Sequence, residues 1–309
     1  MTEEFQLTPD LFEQVENNFE DAEAIKRPSL TYWKDVWRRL LENKLAMFGF
    51  AIIIVLVLLA IFAPILSPYS YEMQSLKERN LMPSKAHWFG TDSLGRDLWT
   101  RAWYGARISL AVGFVATGIE FAIGAIYGGI SGSLGGWVDN VMMRIAEIFY
   151  SIPYMLIVIL MMVLMSPGLV PMILALVATG WIGMARLVRG QVLQLKEQDY
   201  VKASEALGGG LFWKLRKHLI PNTMGPILVD LTLSVPSAIF AEATLSFLGL
   251  GISAPMASWG SMANDALTGL FTGAGYQLFF PALLISLTMF GFNVLGDGLR
   301  DALDPQLRK

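Results

Sequence analysis

DYVKASEALGGGLFWKLRKHLIPN, residues 199–222, is a polar interval between two long apolar runs. Asp199 is placed to cap a short helix over residues 200–207, on which Tyr200, Ala203 and Leu207 share one face. Gly208, Gly209 and Gly210 supply the backbone freedom for a sharp turn. A second helix is expected over residues 211–219, with Lys214, Arg216, Lys217 and His218 set among Leu211, Phe212, Trp213 and Leu215. Pro221 is expected to end it, and Asn222 to open the next apolar run. A helix, a tight turn and a basic helix, tied at both ends to apolar runs, make a rigid lever with a small-residue face free to dock.

The rest of the chain says what the lever is tied to. It has 309 residues, of which 54% are hydrophobic and 16% charged, with a mean hydropathy of +0.50. That balance is too apolar for a soluble domain of this length and indicates an all-α integral membrane protein with several spans. Net charge is -3 and the basic residues form no massed face, which argues against nucleic acid as a partner. With no Cys and two His, disulfides, thiolate metal sites, cysteine nucleophiles and histidine-rich metal centres are excluded. The acidic start, MTEEFQLTPDLFEQVENNFEDAEAIKRPS, lacks the basic and apolar regions of a signal peptide and is expected to stay as a cytoplasmic tail.

Runs of about 20 apolar residues are long enough to cross a bilayer as helices. Six are expected, near residues 45–66, 108–130, 145–165, 169–187, 224–248 and 278–295. Of the 23 Lys and Arg, Lys77, Arg79, Lys85, Arg96, Arg101 and Arg107 fall in one long loop, and the other 17 fall on the side of the termini. The excess of positive charge makes both termini cytoplasmic, and with them the 190–222 loop. The expected organisation is a polar tail (1–30), an interfacial helix with the first span (31–66), an extracytoplasmic loop (67–107), a five-span domain (108–297) and a cytoplasmic tail (298–309).

Ahead of the first span, Tyr32, Trp33, Val36, Trp37, Leu40 and Leu41 recur at helical spacing between charged residues. The pattern suits a helix lying in the headgroup layer, with packing on another part of the protein as the alternative. Gly118, Gly124, Gly128 and Gly132 line the second span at a spacing that allows close helix packing. The 16 methionines suit either ordinary apolar packing or a conduit for varied cargo. Three acids, Glu120, Asp230 and Glu242, fall within apolar runs, where a charge is costly and usually faces a bundle interior or a water-filled path. For Glu120 and Glu242 a substrate path and an interhelical hydrogen bond are both open. Asp230 suits a helix anchor near a gate, and Pro236 allows a kink in the same span.

The long loop carries HWFGTDSLGRDLWTRAWYGARISL, residues 87–110. Gly90, Gly95 and Gly105 permit tight turns around Thr91, while Asp92, Arg96, Asp97, Arg101 and Arg107 can tie the segment with ion pairs. Trp88, Trp99, Trp103 and Tyr104 can lie at the membrane surface. The chain contains no Gly-x-x-x-x-Gly-Lys-Ser/Thr phosphate loop, so any ATP would be bound by a partner.

On these residues the chain resembles the C-type permease of oligopeptide and dipeptide ABC importers of type I. Ala206-Leu207-Gly208 and Leu219-Ile220-Pro221-Asn222 fall at the spacing of that family's cytoplasmic coupling loop. His-x-x-Gly-Thr-Asp, Gly-Arg-Asp and Gly-Ala-Arg-x-Ser-Leu in residues 87–110 match its loop motif. GGISGSLGGWVDNVMMRIAEI (128–148), LSFLGLGISAPMASWGSMANDA (245–266) and the C-terminal FGFNVLGDGLRDALDPQLRK continue the likeness in order. The resemblance implies a permease subunit of an ATP-driven peptide importer in a bacterial cell membrane. Its implied partners are a homologous permease, two cytoplasmic ATPases that hold ATP and Mg, an extracytoplasmic peptide-binding protein and the peptide itself.

The resemblance also implies that Tyr200, Lys202, Ala203, Ser204, Leu207 and Gly208 contact an ATPase, with Pro221 at the end of the loop, and that the cap over residues 87–107 receives the binding protein. No catalytic residue, cofactor or metal is implied for this chain itself. Lys202-Ala203-Ser204 stands where the family has Glu-Ala-Ala, so Lys202 is expected to pair with Glu205 or with an acid on the ATPase. The likeness extends to importers of pheromones, nickel complexes and glutathione, so it gives a class rather than a substrate. Two other classes stay in view. A self-contained secondary transporter would need paired intramembrane charges and repeats. An intramembrane enzyme would use Asp230 or Glu242 as a general acid.

Overall fold

The computed structural model describes residues 31–271 and 273–304. The polar tail expected over residues 1–30 and the end of the C-terminal tail lie outside them. All regular structure among the described residues is helical. In chain order the helices are α1 (Tyr32–Glu42), α2 (Lys44–Leu66), α3 (Leu98–Leu134), α4 (Gly136–Ser151), α5 (Tyr154–Met165), α6 (Leu169–Leu195), α7 (Asp199–Ala206), α8 (Leu211–Phe247), α9 (Trp259–Asp265), α10 (Leu267–Leu270) and α11 (Tyr276–Leu303). Contacts divide the chain into residues 1–35 and 36–309. Within the first unit, Thr31 accepts from the amides of Lys34 and Asp35 and so starts α1.

Five helices, α2, α3, α6, α8 and α11, are long and apolar enough to cross a bilayer, and the spans number six if the pair α4–α5 counts as one. That pair is bent by 76°. The cause is Ile152-Pro153, since a residue before proline is pushed out of the helical region, and Ile152 has φ -75° and ψ 124°. The third span expected as one helix over 145–165 is therefore two.

The other helices run past the apolar windows that announce them. α3 begins at Leu98, so Arg101 and Arg107, expected in a loop, sit on a helix. α6 continues to Leu195 and α11 to Leu303. α8 begins at Leu211, so the polar second half of the lever and the next span are one helix.

Small residues set the closest packing, as expected where no solvent drives helices together. On α3, a Cβ added at Gly124 would lie 2.6 Å from the Cβ of Met184, at Gly128 2.2 Å from the Ala185 carbonyl, and at Gly132 3.0 Å from the Arg189 carbonyl, all on α6. Gly118 has nothing within 4 Å and does not belong to this seam. α2 and α11 meet the same way, with Gly49 2.7 Å from the Gly291 carbonyl by the same measure. The second and third turns of α1 bury Val36 and Leu40 with Ala302 and Leu303 of α11, while Trp37 and Leu41 stay exposed. One face of this helix thus packs on protein, the alternative reading, while the other is exposed.

Candidate functional site

The lever at one end of the bundle is built by local rules. α7 is a helix of eight residues whose N-cap is Gln198. Asp199, expected to cap it, is instead its first residue, and no side chain caps this end. The other end closes in a Schellman motif. The Gly209 amide donates to Ser204 O at 2.8 Å and the Gly208 amide to Glu205 O at 2.9 Å, with Gly208 at φ +88°. Val201 is the residue that α7 buries, in a cluster with Val188 and Val192 of α6 and Leu219 and Ile227 of α8. Tyr200, Leu207, Phe212 and Trp213 are left exposed, Leu207 at 89%. Tyr200, Ala203, Ser204 and Leu207 border an open concavity of about 740 Å³ with Trp213 and His218.

Lys202 pairs with Glu197 at 3.1 Å, and Glu205 with Lys214 at 3.0 Å. The expected Lys202–Glu205 pair is not made. Lys214 lies across the glycine turn and holds Glu205, while Lys202 reaches back toward Glu197 just ahead of α7.

Pro221 does not end the second helix. Residues Leu215–Leu219 form a π-turn, with the Ile220 amide bonded to Leu215 O. A proline ring crowds the carbonyl four residues before it and offers that carbonyl no donor. The widened turn directly ahead of Pro221 relieves the crowding, and the helix runs on to Phe247. Side chains supplement the loosened backbone: Asn222 Nδ2 donates to His218 O at 2.5 Å and Thr223 Oγ1 to Ile220 O at 2.8 Å.

A polar brace at the same end was not singled out from sequence. Asp139 on α4 is buried and accepts from Arg189 of α6 at 2.6 and 2.5 Å and from Ser131 of α3. Lys196 adds a bond to Gly132 O at 3.1 Å. The signal available was an acid and an arginine each at the edge of an apolar run.

The residues of the loop motif meet at the opposite end. Asp97 caps α3, accepting from Thr100 N at 2.8 Å and Thr100 Oγ1 at 2.7 Å, and bonds His87 Nδ1 at 2.9 Å. Asp92 accepts from Arg96 Nε at 2.5 Å, and Arg96 also reaches Asp265 of α9 at 2.8 Å, with Arg101 on the same carboxylate at 3.5 Å. Thr91 O accepts from Tyr276 and Gln277 of α11, each at 3.0 Å. Gly95, at φ +73°, sits so near Ser75 O that an added Cβ would lie 1.8 Å away. Next to this cluster Tyr71 stacks on Tyr104 at 3.6 Å, and hydrogen bonding to Glu72 pushes its phenol well above the ordinary range.

Arg107 makes no acid pair here. Its Nε donates to Ala60 O and its Nη2 to Ile61 O, both at 2.6 Å. Pro64, inside α2, has no N–H for Ala60 O, and Arg107 supplies the missing donor.

The intramembrane acids separate into two settings. Glu242 is fully buried and accepts from Ser109 of α3 and Ser246 of its own helix, each at 2.7 Å. Ser109 in turn accepts from the Trp259 amide at 3.3 Å, so Glu242 ties α3, α8 and α9 together. Of the two roles left open for Glu242, this geometry is that of an interhelical hydrogen bond. Glu120 and Asp230 are partly exposed and lie within electrostatic reach of each other, with Tyr154 near Glu120. Glu120 lies over Gly180, where an added Cβ would be 2.1 Å from its Oε1. Pro236 is buried, and α8 runs through it unbroken.

Residues 120–309 match the pattern of the family described as binding-protein-dependent transport system inner membrane component, and residues 31–83 match the N-terminal TM domain of oligopeptide transport permease C. The chain is 61% identical over 289 residues to the dipeptide transport system permease protein DppC of Bacillus subtilis, covering 94% of this chain and 90% of that one. It is 55% identical over 303 residues to the oligopeptide transport system permease protein OppC of the same organism, covering 98% and 99%. Among solved structures, one described as inward-facing conformations of the MetNI methionine ABC transporter superposes with a TM-score of 0.53 at 21% identity, covering 65% of this chain and 94% of that one. At that identity the likeness speaks to the fold.

Proposed function

The chain belongs to the family of binding-protein-dependent transport system inner membrane components, and on that footing we propose that it is the C-type permease subunit of a peptide ABC importer. It is a multi-pass protein of the bacterial cell membrane and forms half of the translocation pathway. The other half is a related permease, and the energy comes from two cytoplasmic ATPases that hold ATP and Mg. A peptide-binding protein delivers cargo to the cap formed by Gly90–Thr91–Asp92, Gly95–Arg96–Asp97 and Arg107. Residues 108–297 act as the transmembrane domain.

The observation that carries this reading is the lever. α7 exposes Tyr200 and Leu207 beside Phe212 and Trp213, yet it is anchored by Val201 between α6 and α8. An exposed apolar cluster on a rigid, membrane-anchored mount is suited to transmit force from a partner. In the proposed cycle, ATP binding draws the ATPases together, their clefts grip α7 through Tyr200, Lys202, Ala203, Ser204, Leu207 and Gly208, and the spans turn to accept peptide. Hydrolysis and release reset the inward-facing state. Glu120 and Asp230 are the candidates to line the path, and Pro236 lies in the helix that gates it.

Reconstitution tests the reading. The chain should co-purify with a second permease and two ATPase subunits, and peptide-loaded binding protein should stimulate ATP hydrolysis by that complex. Peptide uptake by the chain alone in liposomes, with no ATPase present, would refute it.

A further inference from the structure

A cavity of about 490 Å³ lies where α2 ends, away from the lever and from Glu120 and Asp230. One wall is a single face of α2: Leu59, Phe62, Ala63 and Leu66 recur at i, i+3, i+4 and i+7. The opposite wall is aromatic, with Trp88 and Trp99 packed edge to face at 4.7 Å. The rim is polar and carries Lys85 beside Ser67 and Tyr69.

The rim is fixed rather than loose. Ser67 Oγ shares a hydrogen bond with Thr100 Oγ1 at 2.6 Å, and the Tyr69 amide donates to Ser67 Oγ at 3.2 Å. The Tyr69 ring stacks on His87 at 4.6 Å, and His87 is held by Asp97. Asp97 also borders the cavity, but its carboxylate oxygens already accept from His87 and from the backbone and hydroxyl of Thr100. Lys85 has no carboxylate partner among the described residues. The Asp97 carboxylate is thus engaged below the rim, and the ammonium of Lys85 is the charged group left to meet an occupant at the mouth.

Depth says which occupant fits. α2 spans 23 residues, about 35 Å at 1.5 Å per residue, against a hydrocarbon core of about 30 Å. Its last turn thus emerges at the level of the headgroups, with the apolar wall below and the lysine above. Tryptophans at that level have the placement of an interfacial belt. Phe62 and Leu66 are 52% and 80% exposed, so the chain itself leaves the apolar wall uncovered.

We propose that this cavity is a binding site for one anionic phospholipid, with an acyl chain laid along Leu59, Phe62 and Leu66 and the phosphate at Lys85. An apolar slot topped by one unpaired ammonium matches a monoanionic diester better than a peptide, whose polar backbone would meet few partners along the α2 wall. Bound there, the lipid bridges α2 to the loop that caps α3, and so ties the first span to the segment of the proposed binding-protein cap.

The test uses the intact chain in its complex, purified in detergent and given phosphatidylglycerol or phosphatidylcholine, with retained lipid counted by native mass spectrometry. Phosphatidylglycerol should be retained at least fivefold better than phosphatidylcholine, since one lysine near a headgroup contributes about that factor. Lys85→Glu should remove the preference. Ala86→Phe, at an exposed position on the rim, should fill the mouth and reduce retention of both lipids while leaving assembly intact. Equal retention of the two lipids by the unaltered complex would overturn the proposal, as would unchanged retention in both variants. A photo-cross-linker at residue 86 that captures the paired permease instead of lipid would also overturn it, because the slot would then be a subunit interface.

Discussion

Gly208 is the position at which the lever is most open to a decisive test. Its φ of +88° is in the left-handed region, and a Cβ built there meets nothing within 4 Å. A side chain at this position therefore pays in backbone strain and not in collision, about 1–2 kcal/mol and more if β-branched. The strain falls on the Schellman turn that closes α7. With eight residues, that helix is too short to be stable alone and relies on the turn and on Val201. One to two kcal/mol shifts such a local equilibrium by about 5- to 30-fold.

Gly208→Val should accordingly lower peptide uptake and peptide-stimulated ATP hydrolysis by that factor in proteoliposomes, with insertion and subunit assembly unchanged. Gly208→Asn should lose much less, because asparagine tolerates the left-handed region. The neighbouring glycines supply controls. Gly210 has φ -68° and open space around it, so Gly210→Ala should be nearly silent. At Gly209 a Cβ would lie 2.6 Å from Ser204 O, so Gly209→Ala should damage the turn by collision. Wild-type coupling in Gly208→Val, or equal damage from Gly210→Ala, would refute the reasoning.

Three further outcomes are expected. Glu242→Ala leaves the hydroxyls of Ser109 and Ser246 without their acceptor and should cost about 1–3 kcal/mol, while Glu242→Gln keeps an acceptor and should cost less; thermal unfolding in detergent measures both. Gly128→Val drives a side chain into the Ala185 carbonyl, 2.2 Å from the new Cβ, and should part α3 from α6, read as loss of folded protein on size-exclusion chromatography. Lys202→Ala removes a pair whose side chains are 57% and 66% exposed, worth less than about 1 kcal/mol, so thermal unfolding in detergent should be nearly unchanged while peptide uptake falls with the loss of the proposed ATPase contact.

What the sequence reveals of this fold follows from which forces are local. The apolar runs announce the spans because burial in lipid needs an unbroken stretch, and the turn at Gly208 is visible because few residues other than glycine adopt its backbone. The helix ends are hidden for the complementary reason. Residues 98–107 carry two arginines and read as loop, yet they continue α3 because Asp97 caps them and because Asp265 and the carbonyls of Ala60 and Ile61 receive the arginines. Asp97 is adjacent, but Asp265, Ala60 and Ile61 are all far away in sequence. Pro221 misleads in the same way, since a π-turn lets the helix pass a residue that would normally stop it. Glu242 reads like Glu120 from composition alone, and only the approach of Ser109 and Trp259 sets it apart.

The joints around the lever imply that a force on α7 moves a group of helices and not one. Val201 wedges α7 against both α6 and α8, so neither can be displaced without the other. α6 is locked to α3 along Gly124, Gly128 and Gly132, where the backbones approach too closely to slide past one another. At the far end Glu242 returns α8 to α3. α3, α6 and α8 thus form a closed frame joined at three places. Two irregularities adjoin this frame, the π-turn over Leu215–Leu219, whose last residue belongs to the Val201 joint, and the break before Pro153, which lies outside all three joints. α4, ahead of that break, is tied to the frame by Asp139 and Arg189, whereas α5 beyond it buries Val158 and Met162 in an apolar cluster. In the proposed cycle the frame therefore tilts as a body under the push on α7, and the α4–α5 bend is where the bundle yields to let it.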